Sequence, residues 1–215
     1  MNVIIVNYNS GNLASLYNSF LKVAKERKKK VNIIISEDPY KIKNADKIIL
    51  PGVGDFSNCK EELLKIDGML EALNEVVLKK KKPFLGICIG MQLMAKKSFE
   101  RVETDGLGFF DSKVIKISHK DHSLKVPHMG WNNIKLINNF YKKAFKSLIK
   151  GDFYFVHSYE MICNNKNDII ATVDYGKEVV AAVCKENILG VQFHPEKSQE
   201  QGKKLINDFL NWIPA

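Results

Sequence analysis

Arginine is nearly missing from this chain of 215 residues: Arg27 and Arg101 are the only two, although lysine takes the net charge to +9. Arginine is the residue that reads bases and phosphates bidentately, so its scarcity argues against nucleic-acid recognition. No basic patch is interleaved with aromatics in the manner of a single-strand binder. The lysine runs Lys28-Lys29-Lys30 and Lys79-Lys80-Lys81-Lys82 stand just before apolar stretches and read as solvated helix ends. No run reaches the length of about 18 apolar residues that a membrane span needs. The opening, MNVIIVNYNS, lacks the basic start and cleavage site of an export signal, so a cytoplasmic location is expected. Four cysteines (Cys59, Cys88, Cys163, Cys184) form no C-x-x-C pair. Reduced thiols, no zinc and no other cofactor are expected. Neither an internal repeat nor a low-complexity linker divides the chain, and residues 1–215 are expected to form a single domain.

What the chain does contain is an alternation of short apolar runs and helical patterns. Val3 to Val6, Val31 to Ile35, Ile48 to Leu50 and Pro83 to Ile87 read as buried strands. Between them, Leu13, Leu16, Tyr17, Phe20 and Leu21 recur at helical spacing, and Ser57 to Leu64 and Met69 to Leu78 read as helices. This is the pattern of an α/β fold with an open, mostly parallel central sheet flanked by helices. After about residue 107, strand-like runs follow one another with Asn, Asp and Gly between them: Val114 to Ile117, Ile134 to Leu136, Phe153 to Val156, Ile169 to Val173, Val179 to Val183 and Ile188 to Phe193. They predict antiparallel additions to the sheet in the C-terminal half. A short helix is expected over Phe140 to Ile149 and a closing one over about Gln199 to Trp212, with Leu205, Ile206, Phe209 and Leu210 on its apolar face.

Cys88 follows the fourth apolar run directly, with Gly86 and Gly90 two residues to either side, and Met91 to Lys96 reads as the start of a helix. That is the nucleophile-elbow spacing, with cysteine in the place of serine. A sharp strand-to-helix turn strains the nucleophile's backbone, and its flanking residues must lack a Cβ for the chain to pass. The helix N-terminus favours the thiolate. Taken alone, Cys88 also fits a buried structural cysteine. A hundred residues on, Gln192-Phe193-His194-Pro195-Glu196 supplies a partner. His194 ends an apolar run and suits a general base, and Glu196 can orient its imidazole. Of the remaining histidines, His119 and His122 fall in a polar loop, and His128 and His157 in stretches named below. The Ile89 N–H, just after the nucleophile, is a natural oxyanion donor. The loop Gly52-Val53-Gly54 can present a second, conditional one if its peptide flips, and it also fits a plain turn.

These residues carry a resemblance. The elbow and the Gln192 to Glu196 stretch resemble the class I, triad-type glutamine amidotransferases. Asn7 to Leu13 with Ser15, Leu50 to Gly54, Pro127-His128-Met129-Gly130-Trp131-Asn132, Tyr154 to Tyr159 and Gly190 to Ser198 extend the resemblance along the whole chain. They direct it to the glutaminase subunits of imidazole glycerol phosphate synthases in histidine biosynthesis. The resemblance implies a flavodoxin-like core and a glutaminase. Cys88 would attack the glutamine carboxamide, with His194 and Glu196 completing the triad and Val53 and Ile89 the oxyanion hole. Gly52, Gln92, Ser158 and Tyr159 would hold the substrate, and Asn12, Trp131 and Lys197 would lie near the interface with a (β/α)8-barrel cyclase subunit that receives the ammonia. Trp131 suits an interface on physical grounds and a core position equally. The family's first motif begins Asp-Tyr-Gly, whereas here it is Asn7-Tyr8-Asn9. Asn tolerates left-handed backbone, so Asn9 can stand for the glycine. The departure leaves a second product open: ammonia for surface-sugar amidation, through a related barrel.

Overall fold

The computed structural model describes every residue except Lys29, Lys120, His122 and Ala215. Lys29 and His122, both considered above, therefore lie outside the described residues. The first half follows the alternation. Strands β1 (Asn2–Val6), β2 (Asn32–Ser36), β3 (Lys47–Leu50) and β4 (Phe84–Ile87) alternate with helices α1 (Leu13–Lys25), α2 (Pro39–Lys43), α3 (Phe56–Leu64) and α4 (Met69–Asn74). The expected Met69 to Leu78 helix is α-helical only as far as Asn74 and continues as a π-helical turn, Glu75–Lys79. β3 and β4 are buried along their whole length, which is why they read as continuous apolar runs. Helix α1 begins where the Asn12 side chain accepts the Ser15 N–H at 3.2 Å, and it buries Leu16, Phe20, Val23 and Ala24 on one face.

The chain after Cys88 departs from expectation. Helix α5 is a single turn, Ile89–Gln92, and Ala95–Ser98 is a strand (β5) where a continuing helix was expected. The reason lies in competition for carbonyls. Leu107 N–H takes the Leu93 carbonyl, Phe110 that of Met94, Gly108 that of Ala95 and Gly106 that of Lys96. Those acceptors are then closed to the next helical turn. Strand β5 joins β6 (Thr104–Asp105), β7 (Phe110–Lys116) and β10 (Tyr159–Cys163) in a separate four-stranded sheet, order β10-β7-β5-β6. The Val114 to Ile117 run thus belongs to this second sheet.

The remaining strands are β8 (His128–Leu136), β9 (Lys150–His157), β11 (Ile169–Asp174), β12 (Glu178–Lys185) and β13 (Ile188–Val191). They extend the main sheet to nine strands in the order β2-β1-β3-β4-β13-β12-β11-β8-β9. β13 is parallel to β4 and antiparallel to β12, so it closes the parallel half, and the antiparallel additions are β12, β11, β8 and β9. Phe140 to Ile149 holds two 3-10 turns, Asn139–Lys143 and Lys146–Leu148, in place of the expected helix. Helix α6 (Gln199–Asn211) packs against α1, with Phe20 and Phe209 edge to face at 6.5 Å. The buried Lys47 reaches from β3 to the Phe209 carbonyl at 3.0 Å, and burial pushes its ammonium down to about 8.

Strand order reverses between β1 and β3. In an open α/β sheet the crevice beyond the carboxyl ends at such a point is where sites form. The segments leaving β1, β3 and β4 carry Tyr8 to Asn12, Gly52 to Gly54 and Cys88.

Candidate active site

Cys88 stands between β4 and α5 with φ +53° and ψ −111°, a backbone conformation that L-residues adopt only under strain. The turn is as tight as the spacing implies. A Cβ on Gly86 would stand 2.7 Å from the Gly90 carbonyl oxygen, and one on Gly90 would stand 1.8 Å from that of Leu50. The Cys88 N–H is held by the Val191 carbonyl at 2.9 Å, so the Cys88 backbone is tied to β13. From the end of that same strand the chain runs on to His194. The His194 N–H donates to the Tyr154 carbonyl at 2.9 Å, and Ser198 Oγ donates to the His194 carbonyl at 2.6 Å.

His194 Nδ1 lies 2.8 Å from Glu196 Oε1, and both side chains are buried. Nε2, the far ring nitrogen, has no partner among the described residues. Burial alone would push this imidazole down, but the Cys88 thiol and the Glu196 carboxylate outweigh it and raise it to about 10. The imidazolium form of His194 is therefore favoured, and it can serve as a proton donor beside Cys88.

The cavity in front of Cys88 has a volume of about 540 Å³. Its wall brings together residues from across the sequence: Asn12, Val53, Ile89, Gln92, Ser158, Tyr159, His194 and Lys197. Gly52 sits behind that wall, where a Cβ would stand 2.8 Å from Ile89 Cβ and 3.0 Å from the Gly90 N. Trp131 lies outside the cavity and half exposed. Its ring meets Tyr154 at 6.1 Å, and Lys197 Nζ lies over the other aromatic's ring, 5.7 Å from the Tyr154 centroid. Trp131, Tyr154 and Lys197 thus form a continuous strip that ends at the cavity.

The conditional donor is held in one state. Val53 N–H donates to Ser10 Oγ at 3.3 Å, and that hydroxyl lies 3.0 Å from the Val53 carbonyl. Cys59 Sγ joins the cluster, 2.9 Å from Ser10 Oγ and 3.4 Å from the Val53 oxygen. The Tyr8 hydroxyl donates to the Pro51 carbonyl. Val53 is therefore latched to the β1 loop through the N–H of the peptide before it and the carbonyl of the peptide after it. Asn9 adopts φ +59°, so it fills the left-handed position that the family gives to glycine.

Ser10 falls inside the matched Asn7 to Leu13 stretch, but nothing in the sequence pairs it with Cys59, 49 residues on. Gln192 sits inside the matched stretch, yet only the structure shows its work: Nε2 reaches Cys88 Sγ at 3.8 Å and Oε1 accepts from Gln92 Nε2 at 2.9 Å. Among the described residues no group of acidic, cysteine and histidine side chains is placed to hold a metal, and no helix is long and apolar enough to cross a membrane.

A strained cysteine on a strand-to-helix elbow, backed by a buried histidine and carboxylate, is the arrangement of a cysteine-dependent acyl-transfer enzyme. Residues 6–212 match the family Glutamine amidotransferase class-I, and the chain belongs to that family. Curated relatives narrow the likeness. An imidazole glycerol phosphate synthase subunit HisH of Pelagibacter ubique is 49% identical over 212 residues, which cover 98% of this chain and 100% of that protein. The subunit of the same name from Rhodopseudomonas palustris is 44% identical over 218 residues, covering 100% of both. Among solved structures, the glutaminase domain of Trypanosoma brucei CTPS with bound acivicin superposes with a TM-score of 0.67 at 17% identity, covering 100% of this chain and 96% of that one. A glutamine amidotransferase of Thermotoga maritima gives 0.64 at 17% identity, covering 98% and 83%. At that identity the two structures speak for the fold alone.

Proposed function

We propose that the chain is the glutaminase subunit of an imidazole glycerol phosphate synthase, acting as one domain in the cytoplasm. The observation that carries the chemistry is the buried His194–Glu196 pair beside a strained Cys88 that lines a cavity of about 540 Å³. The names of the full-length relatives supply the pathway and favour it over surface-sugar amidation.

In this reading the Cys88 thiolate attacks the side-chain carbonyl carbon of glutamine. The C–N bond then breaks as His194 Nε2 gives its proton to the leaving nitrogen, and ammonia departs. A glutamyl thioester remains. Water, deprotonated by the now neutral His194, attacks it, and the C–S bond breaks to release glutamate and restore the thiolate. Glu196 keeps the imidazole in the orientation that aims Nε2 at the sulfur. The oxyanion of each tetrahedral intermediate is met by the Ile89 N–H and, once its peptide has rotated off Ser10, by the Val53 N–H. Gln92, Ser158, Tyr159 and the Gly52 backbone bind the amino-acid part of the substrate. Asn12, Trp131 and Lys197 face a (β/α)8-barrel cyclase subunit, which receives the ammonia and forms imidazole glycerol phosphate. Ammonia released to neutral water is mostly protonated and no longer a nucleophile, so hydrolysis has value only when the barrel is docked and loaded.

The test is glutamate release from glutamine by the chain alone, with the cyclase subunit of the same genome, and with that subunit and its ribotide ligand. Strong stimulation that needs both partner and ligand is expected. High turnover without the partner, or no response to it, would overturn the reading.

A further inference from the structure

Two histidines that this mechanism does not use are paired across β8 and β9. His128 and His157 stand opposite each other in register, both buried, and His157 lines the cavity in front of Cys88. Their protons can be placed from either end. The Asn132 side-chain oxygen accepts the Asn133 N–H at 2.8 Å, while its Nδ2 donates to the Asp174 carbonyl at 2.9 Å and lies 3.2 Å from His128 Nε2. An amide nitrogen only donates, so His128 Nε2 accepts and its proton sits on Nδ1. That N–H donates to His157 Nε2 at 3.0 Å, which leaves the His157 proton on Nδ1, 2.9 Å from the Tyr159 carbonyl. A carbonyl only accepts, so the far end demands the same tautomers. Burial pushes both imidazoles down to about 4, and a proton added to either would set N–H against N–H. His128 is also clamped between Phe155 and Tyr175, with ring centroids at 4.7 and 4.0 Å.

The Tyr159 carbonyl is where this relay meets the site. It also accepts Gln92 Nε2–H at 3.0 Å, and the second hydrogen of that amide goes to Gln192 Oε1 at 2.9 Å. Both donors of Gln92 are used. Its Oε1, on a side chain 1% exposed, has no partner among the described residues, and Gln92 forms part of the cavity wall. A buried acceptor so placed suits an ammonium group.

We propose that His128 and His157 are positioning residues for the amino-acid head of the substrate: their one-way relay fixes the Tyr159 carbonyl, which through Gln92 Nε2 aims Gln92 Oε1 at the α-ammonium of glutamine. The proposal rests on the glutaminase reading above. It predicts an effect on recognition of the head and none on the reactivity of the thiolate.

The test uses two alkylating agents on the full chain, with adduct formation at Cys88 followed by mass spectrometry. One is the chloroketone analogue of glutamine, which keeps the α-amino and α-carboxyl groups; the other is iodoacetamide, which has no head. In each case the thiolate forms a C–S bond as halide leaves. His157→Phe is expected to raise the chloroketone KI about ten-fold or more, ~1.4 kcal/mol, while the iodoacetamide rate stays within about two-fold. His157→Asn, whose Nδ2 stands where the ring Nδ1 stood, is expected to return KI to within about three-fold of the wild type. A packing role gives the opposite order, because Phe keeps the ring and Asn loses it. An unchanged KI in the Phe variant, or Asn as poor as Phe, overturns the relay. If the Phe variant does not fold, the Asn variant decides alone, and a rise of about ten-fold counts against the proposal. A wild-type chain that takes neither reagent at Cys88 overturns the nucleophile reading, and the relay falls with it.

Discussion

Ser10→Ala should turn the free chain into a more active glutaminase. In the structure Ser10 Oγ holds the Gly52–Val53 peptide by its N–H at 3.3 Å and the next peptide, Val53–Gly54, by its carbonyl at 3.0 Å. A net hydrogen bond of this kind contributes about 0.5–1.5 kcal/mol. Only the N–H belongs to the peptide that rotates, so losing its bond would shift the balance toward the rotated peptide by about 0.5–1.5 kcal/mol, or about 2- to 13-fold. Cys59 Sγ keeps a contact with the Val53 carbonyl at 3.4 Å and so holds the following peptide in place, and a gain of about 2- to 10-fold is expected. The ceiling is the worth of one oxyanion donor, about 100- to 1000-fold. Because the donor acts on the tetrahedral intermediate and not on bound glutamine, the gain should appear in kcat with KM little changed. The assay is steady-state glutamate release by the free chain, repeated with the barrel partner and its ligand. Under the proposed function the peptide is already rotated in that stimulated state, and the two proteins should be alike. An unchanged or reduced basal kcat in a folded Ser10→Ala chain would refute the latch. So would an equal gain in the stimulated state, since the effect would then lie elsewhere.

Three further outcomes follow from the same geometry. The folded-state pKa of His194 is raised from 6.5 to about 10, so its contribution to stability is complete below the first value and is lost as pH rises through the second. Glu196→Gln removes one of the two groups that raise it, so the wild type should exceed the variant most near pH 6; urea midpoints that diverge toward pH 10 would contradict this. Gly90→Ala places a methyl 1.8 Å from the Leu50 oxygen and should cost more than about 4 kcal/mol, seen as loss of the cooperative thermal transition. Trp131→Ala removes a side chain that is 49% exposed, so the free chain should melt normally. If the proposed barrel partner docks over the Trp131 strip, its affinity should fall by about 2 kcal/mol or more, roughly 30-fold by titration.

Much of this site can be read from the chain because its constraints are local. The elbow is a matter of five consecutive residues, and the steric demand on Gly86 and Gly90 acts across that same turn. His194 and Glu196 lie two residues apart, so their contact at 2.8 Å needs only the short 3-10 turn Pro195–Lys197. The parallel strands are legible for a similar reason. Burial on both faces leaves unbroken apolar runs. The misreadings came where distant segments intervene. Met91 to Lys96 has a helical composition, but residues 106–110 claim its carbonyls. Ile188 to Phe193 looks like any strand of the second half, and only its pairing with β4 makes it parallel.

By itself, then, the sequence determined the order of β1 to β4, the elbow turn around Cys88, and the close pairing of His194 with Glu196. Each depends on spacing within a few residues. Tertiary structure alone decided which strands share a sheet, that Ser10 and Cys59 grip Val53, and that Asn132, His128 and His157 form a relay ending on Tyr159. These contacts join side chains far apart in the chain, and a hydrogen bond depends on distance and direction in space, which no interval along the sequence encodes.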